Sequence, residues 1–226
     1  MSKNLLLLGC GGGTAAAYSQ NLVDNQATAC LTTTALTGAA DSQYLTFSGW
    51  FDFVSDSGTT NMFEVNGRSL IKRLNTEIRF FIRNTAAETL YDALTPAVAA
   101  ADGLTHIHFK GDFATTPVVV VTIDGVDVTG SMTVTTAATA GTIDHTRASY
   151  GILSTGAGGV PVDVEQVGDI FIDFTAALDA SSFISGGLPL DLTGVGSPIV
   201  WLGNDMTADE RGGNASEGWN DGHNLG

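Results

Sequence analysis

The sequence predicts an all-β fold, an antiparallel β-sandwich or jelly roll with N- and C-terminal arms. Glycine supplies 28 of the 226 residues, and threonine and valine are common, which favours short strands joined by turns over helices. Segments with apolar residues at alternate positions recur about every ten residues, separated by turn residues, as in sandwich folds. A hydrophobic share of 43% is enough to build a core.

Residues 1–41 are predicted to form an N-terminal assembly arm. Its leucines 5–8 are followed by Gly-Cys, but this apolar run is shorter than the roughly 7–15 residues of a secretory or lipoprotein signal. Gly9 and Gly11 start a dinucleotide-binding pattern that Thr14 breaks. We interpret residues 5–8 as a short buried strand. Because side chains alternate along a strand, two of the four leucines need cover from another subunit or from residues 183–202.

Charge and cysteine content exclude several classes of function. The formal net charge of −15 disfavours nucleic-acid binding, which depends on Lys and Arg. No stretch reaches the roughly 18 apolar residues of a membrane span. Cys10 and Cys30 are the two cysteines, and whether they are bridged stays open. The absence of a CxxC motif argues against structural zinc.

The first predicted strands follow from alternation. Residues 44–54 place Leu45, Phe47, Gly49, Phe51 and Phe53 on one face, and the residues between them on the other. Strands are predicted at 61–65, 68–73 and 77–83, with Asn66-Gly67 as a tight hairpin turn. Residues 86–101 have the most helical composition, but Pro96 interrupts them, so at most a short helix or turn is expected there.

Further strands are predicted at 104–109, 117–123, 126–134, 149–153, 160–167 and 168–174, with Asp124-Gly125 as a second hairpin turn. One core is expected to contain seven of their apolar side chains: Leu45, Phe47, Phe51, Ile123, Ile170, Ile172 and Phe174.

Four stretches in this region carry a family resemblance: LTFSGWF (45–51), LTHIHFKGD (104–112), VVTIDGV (120–126) and GDIFIDF (168–174). Their order and pattern make residues 42–180 similar to the concanavalin A-like, or laminin G-like, jelly-roll family. Leu104 stands where that family usually has Trp. Residues 181–226 form a Gly/Asn-rich C-terminal extension, which resembles the C-terminal segments of bacteriophage structural proteins.

The chain carries no catalytic pattern. Hydrolases on this fold have a Glu-x-Asp-x-x-Glu strand that supplies paired carboxylates, and no Glu-x-Asp occurs in this sequence. Asp169 and Asp173 come nearest, and both are expected on an exposed face. His106 and His108 alternate on one strand face. A zinc site needs further ligands, so they are expected to be surface residues or cross-strand partners. No cofactor is expected.

Calcium is the ion that the resemblance implies. Asp205, Asp209 and Asp221, accompanied by Glu210 and Glu217, are candidate oxygen ligands, and a solvated acidic loop is the alternative. Trp201 and Trp219 are candidates for stacking on a glycan or for burial at an interface.

We therefore expect a non-enzymatic virion structural protein, such as a capsid decoration, head fibre or tail component. Its expected partners are other virion subunits and further copies of itself, without nucleic-acid binding or membrane insertion. The alternative is a carbohydrate-binding adhesin that recognises host surface glycans.

Overall fold

The computed structural model describes residues 31–33, 36, 38–53, 55–147, 149–152, 164–190, 192, 194–202 and 220–221. These residues form sixteen strands and no α-helix, and the strands are β1 Leu31–Thr33, β2 Tyr44–Phe53, β3 Thr59–Val65, β4 Ser69–Leu74, β5 Glu77–Arg83, β6 Thr89–Leu94, β7 Thr105–Asp112, β8 Val118–Ile123, β9 Val126–Asp127, β10 Thr133–Thr136, β11 Tyr150–Ile152, β12 Val164–Asp173, β13 Ile184–Ser185, β14 Leu188–Pro189, β15 Val200–Leu202 and β16 Asn220–Asp221. Short 3-10 helices occur at Ala100–Asp102, Thr129–Ser131 and Ala180–Ser182.

Two antiparallel sheets account for most of these strands. An eight-stranded sheet has the order β10-β6-β5-β4-β3-β11-β1-β16, and a six-stranded sheet has the order β15-β12-β2-β7-β8-β9. The remaining strands, β13 and β14, form a separate hairpin. The all-β class with antiparallel sheets is therefore confirmed. Among the described residues, no helix is long and apolar enough to span a membrane.

Both predicted hairpin turns are present. Asn66-Gly67 joins β3 to β4 with φ angles of 22° and 71°, and Asp124-Gly125 joins β8 to β9 with φ angles of 51° and 77°. Two consecutive positive φ angles match the right-handed twist of the strands that the turn connects. The strands then follow the alternating pattern: β4 and β5 bury every second residue.

The two sheets pack face to face around one core. Phe80 of the eight-stranded sheet stacks on Phe109 of the six-stranded sheet with ring centroids 5.0 Å apart, and Phe47 and Phe63 meet at 6.4 Å. The predicted core residues are confirmed. Ile123 is half-buried and packs against the core. The other six residues are buried in it: Leu45, Phe47, Phe51, Ile170, Ile172 and Phe174.

Three strand predictions were wrong in detail. The segment predicted as a short helix or turn contains β6, which pairs with β5 and β10. Burial of Leu90, Tyr91 and Ala93 in the core outweighs the local helical composition. Residues 164–173 form one strand rather than two. The predicted strand at 126–134 is divided between the two sheets by a 3-10 turn.

Segments near both ends of the sequence contribute edge strands. β1 pairs with β11 on one side and with β16 on the other, so residues 190 positions apart pair as Leu31 with Asp221. At the other sheet, β15 pairs with β12, and Val200 is fully buried in the main core. Both sheets thus include strands from outside residues 42–180.

Candidate functional site

The outer face of the six-stranded sheet is polar in its centre. Thr46, Ser48 and Trp50 of β2 alternate with the core residues of that strand, and His106 and His108 of β7 do the same on the neighbouring strand. Side chains alternate between the two faces of a sheet, so all five point away from the shared core. An outer face normally contacts solvent, yet all five residues are 5% exposed or less.

The polar face is covered by the chain that follows β12. We call the described part of residues 175–200 the strap. The hydroxyl of Thr46 donates to the carbonyl of Ala176 at 2.7 Å and accepts from the amide of Leu178 at 2.9 Å. His108 Nε2 donates to the carbonyl of Leu178 at 3.0 Å. These bonds pair strap backbone with sheet side chains.

A second, smaller apolar cluster secures the strap. Phe171 of β12 meets Phe183 edge to face at 4.9 Å, and Leu192 completes the buried group. Phe183 also lies against the ring of His108 at 5.4 Å. At the rim, Lys110 Nζ lies 2.7 Å from the carboxylate of Asp179. The strap is therefore held by packing as well as by hydrogen bonds.

Asp173 fastens both ends of the strap, which corrects the expectation that it lies on an exposed face. It is fully buried, and its carboxylate accepts from the amide and hydroxyl of Thr175, both at 2.6 Å, and from the amide of Ser197 at 2.8 Å. At Gly196, with φ of 56°, a Cβ would lie 2.7 Å from Asp173 Oδ2. The outer face of β12 is covered by the strap at this point, which the local pattern of the strand does not reveal.

The two strand histidines are also buried, so the expectation of a surface location was wrong. His106 Nε2 lies 2.8 Å from the hydroxyl of Ser48, a cross-strand contact as expected, and its ring packs on Trp50 at 4.9 Å. Burial lowers the pKa of His106 to about 3 and that of His108 to about 4. Both imidazoles are therefore neutral at pH 7.

A third histidine shares these properties at the margin of the core. His145 is fully buried, stacks on Phe174 at 3.8 Å and donates from Nε2 to the carbonyl of Tyr44 at 2.9 Å. Burial lowers its pKa to about 4. The backbone amide of His145 donates to Asp41 at 2.9 Å. Nothing in the sequence singles out this residue, because an isolated histidine forms no recognisable motif.

Metal chemistry finds little support in this arrangement. The Nε2 atoms of His106 and His108 are occupied by Ser48 and Leu178, and within the described ranges no three His, Cys, Asp or Glu side chains form a group able to hold a metal. The Nδ1 atoms of all three buried histidines have no hydrogen-bond partner. In the described part of the molecule, these three histidines contribute to the fold through burial, ring contacts and hydrogen bonds at Nε2.

A groove of about 370 Å³ opens beside the strap. Tyr44, Asp112 and Val118 form a row across three strands, because Asp112 of β7 pairs with Tyr44 of β2 and with Val118 of β8. Its lining is completed by Lys110, Thr175, Ala176 and Ala177. The groove thus combines one aromatic ring with a cation, a carboxylate and a hydroxyl.

The other candidate residues are not brought together by the described structure. Trp201 lies in β15 opposite Phe171, and Asp221 lies in β16 of the other sheet. Asp169 lies in β12, where the structure describes its backbone but not its side chain. Several other candidates fall wholly outside the described residues: residues 5–8, Cys10, Cys30, Asp205, Asp209, Glu210, Glu217 and Trp219.

Comparison with protein-family models finds no match for this chain, and comparison with curated proteins finds no similar sequence.

Proposed function

We propose that the chain is a non-enzymatic structural subunit of a bacteriophage virion, built on a concanavalin A-like jelly roll and acting as a capsid decoration, head fibre or tail component. It self-associates and binds other virion subunits as the virion assembles in the host cytoplasm. The resemblance of residues 42–180 and of the C-terminal extension supports this proposal, together with the antiparallel sheets that share one core.

The strap is the observation that carries the non-enzymatic part of the proposal. Catalysis on a sheet face requires a cleft in which substrate reaches positioned acid and base groups. Here the strap covers the polar face, and the carboxylate of Asp173 is occupied by three hydrogen bonds within the chain. His108 lies beneath the same cover, and His106 is buried beside it. The polar groups of this face therefore stabilise the fold instead of meeting a ligand.

The edge strands support the assembly part of the proposal. β16 and β15, both from the C-terminal part of the chain, lie at the ends of the two sheets in the described structure. The edge of a sheet presents backbone groups to which a strand from another chain can add. Segments near the termini are thus located where a neighbouring subunit would extend a sheet.

Sizing the purified full-length chain by light scattering over a range of concentrations tests this proposal. A structural subunit is expected to form a defined oligomer, or to bind purified virions of its phage. A protein that stays monomeric at all concentrations and binds no particle would refute the proposal.

The groove beside the strap favours a second candidate function, a carbohydrate-binding adhesin for host surface glycans. Sugar sites commonly combine an aromatic ring with a few polar groups, and Tyr44, Lys110, Asp112 and Thr175 supply this set. Calcium held by Asp205, Asp209 and Asp221 belongs to this candidate, with Trp201 and Trp219 as further stacking residues. A glycan array probed with the wild type and with Tyr44→Ala tests it: binding that is absent, or equal for the two proteins, rejects the groove.

A further inference from the structure

The outer face of β3 to β6 in the eight-stranded sheet is balanced in charge, although the chain as a whole is acidic. The full sequence has 24 acidic and 9 basic residues. On the outward side of β3 to β6, three cations accompany three carboxylates, and they are Lys72, Arg79, Arg83, Glu64, Glu77 and Asp92. Two copies of this face can therefore approach without the repulsion that a net charge of −15 imposes elsewhere.

The centre of this face is a fixed arrangement of aromatic and guanidinium groups on β5. Phe81 lies between Arg79 and Arg83, whose guanidinium carbons are 4.7 and 4.4 Å from the ring centroid. Arg79 is held by two hydrogen bonds of 2.7 Å to Asp92, and Leu70 of β4 lies opposite Phe81. The face is thus ordered before any partner arrives.

Some charged groups on this face form no ion pair with the described residues. Five of the seven cations in the described ranges form ion pairs, and Lys72 and Arg83 are the two that do not. Glu77, exposed at the start of β5, likewise forms no ion pair with the described residues. The Nε atom of Arg83 is itself buried and has no hydrogen-bond partner.

The outward side chains of β5 are self-complementary. In order they are Glu77, Arg79, Phe81 and Arg83. If a second β5 lies antiparallel over the first, with the axis at residue 80, Glu77 faces Arg83 of the other copy and Arg79 faces Phe81. The first contact is an ion pair and the second a cation–π contact, and the symmetry repeats each of them. Aligned packing of two sheets allows this geometry.

We propose that two copies of this chain associate face to face through the outer surface of the eight-stranded sheet, about a two-fold axis over the middle of β5. This inference rests on the self-association in the proposed function and names the surface that performs it. An isologous contact of this kind closes on itself as a dimer. Such a dimer leaves the edge strands available for contacts with other virion subunits.

Reversing the charges of Glu77 and Arg83, singly and together, tests the proposal. The dissociation constant of the full-length dimer is measured by analytical ultracentrifugation for the wild type, Glu77→Arg, Arg83→Glu and the double variant, which has the wild-type net charge. Each single variant places two like charges opposite each other twice per dimer, so we expect roughly tenfold weaker association. The double variant restores both ion pairs in reversed polarity, and we expect it to regain wild-type affinity. Circular dichroism and thermal melting verify that all variants are folded.

Two results would overturn the proposal, and they differ in their consequence. If both single variants associate as tightly as the wild type, or if the double variant does not regain the wild-type affinity, this surface is rejected. The proposed structural role then remains intact. A wild type that is monomeric at every concentration rejects the surface and self-association together. A double substitution with matched charge, Thr115→Arg with Thr116→Glu in the exposed loop after β7, is the control and is expected to change nothing.

Discussion

Mild acid should destabilise this protein because it contains three buried neutral histidines. His106, His108 and His145 have pKa values lowered by burial to about 3, 4 and 4, whereas an unfolded chain binds a proton at each near pH 6.5. Between these values the unfolded state holds up to three more protons than the folded state. Stability is therefore full above about pH 7 and falls as the pH drops below 6.5.

The size of the effect follows from proton linkage. At pH 5, protonation of each histidine favours the unfolded state by about 2 kcal/mol, or about 6 kcal/mol for all three. A typical domain has a total stability of about 5–15 kcal/mol, so the loss at pH 5 is a large part of the whole. Asp41, whose pKa is lowered by its hydrogen bonds to Thr146 and His145 in spite of burial, contributes a loss only below about pH 4. The interval from pH 5 to 6.5 thus separates the contribution of these three histidines from that of Asp41.

Urea unfolding measured at intervals of half a pH unit from pH 5 to 8 gives the free energy and its slope. The expected slope near pH 5 is about 4 kcal/mol per pH unit, and His106→Gln should reduce this slope by about a third. Ser48→Ala, which removes the hydroxyl beside His106 but no titrating group, is the control: it should lower stability and leave the slope unchanged. A wild-type free energy that is constant from pH 8 to 5 would show that the histidines are not buried as described.

Four further predictions concern the core, the strap, the arm and catalysis. Phe174→Ala should destabilise the protein by about 3–5 kcal/mol, measured by urea unfolding, and an unchanged midpoint would mean that β12 faces the other way. Asp173→Asn should loosen the strap and speed proteolysis within residues 175–200, with Asp102→Asn on an exposed turn as control; equal cleavage rates would contradict the role of Asp173. Deletion of residues 1–13 should abolish assembly with other virion subunits, or incorporation into the virion, while the circular dichroism spectrum is retained, and normal incorporation of the truncated chain would reject the arm. No reducing sugar should be released from β-glucans, a prediction refuted by release that Asp169→Asn or Asp173→Asn removes.

Local sequence patterns were sufficient to predict most strands of the two sheets, but they did not predict the strap. Alternation in β2 and β4 and the turn at Asn66-Gly67 depend on neighbours in sequence, so they were predictable. The strand β6 was not, because its pairing and burial outweigh a helical composition. The burial of His108 and Asp173 depends on a strap that crosses the outer face of the sheet. A polar side chain alternating with core residues has the same pattern whether water or another segment covers it. The groove at Tyr44 requires three strands in register and was equally hidden.

The polar lining beneath the strap has a consequence for biosynthesis. β2, β7 and β8 of the six-stranded sheet are complete by residue 123, whereas the strap and β15 are made later. Until they emerge from the ribosome, the nascent sheet displays hydroxyl and imidazole groups in its centre at Thr46, Ser48 and His108. Exposed apolar surface is what makes incomplete chains aggregate. We expect the polar lining to keep the unfinished chain soluble until its own C-terminal part arrives to close the face.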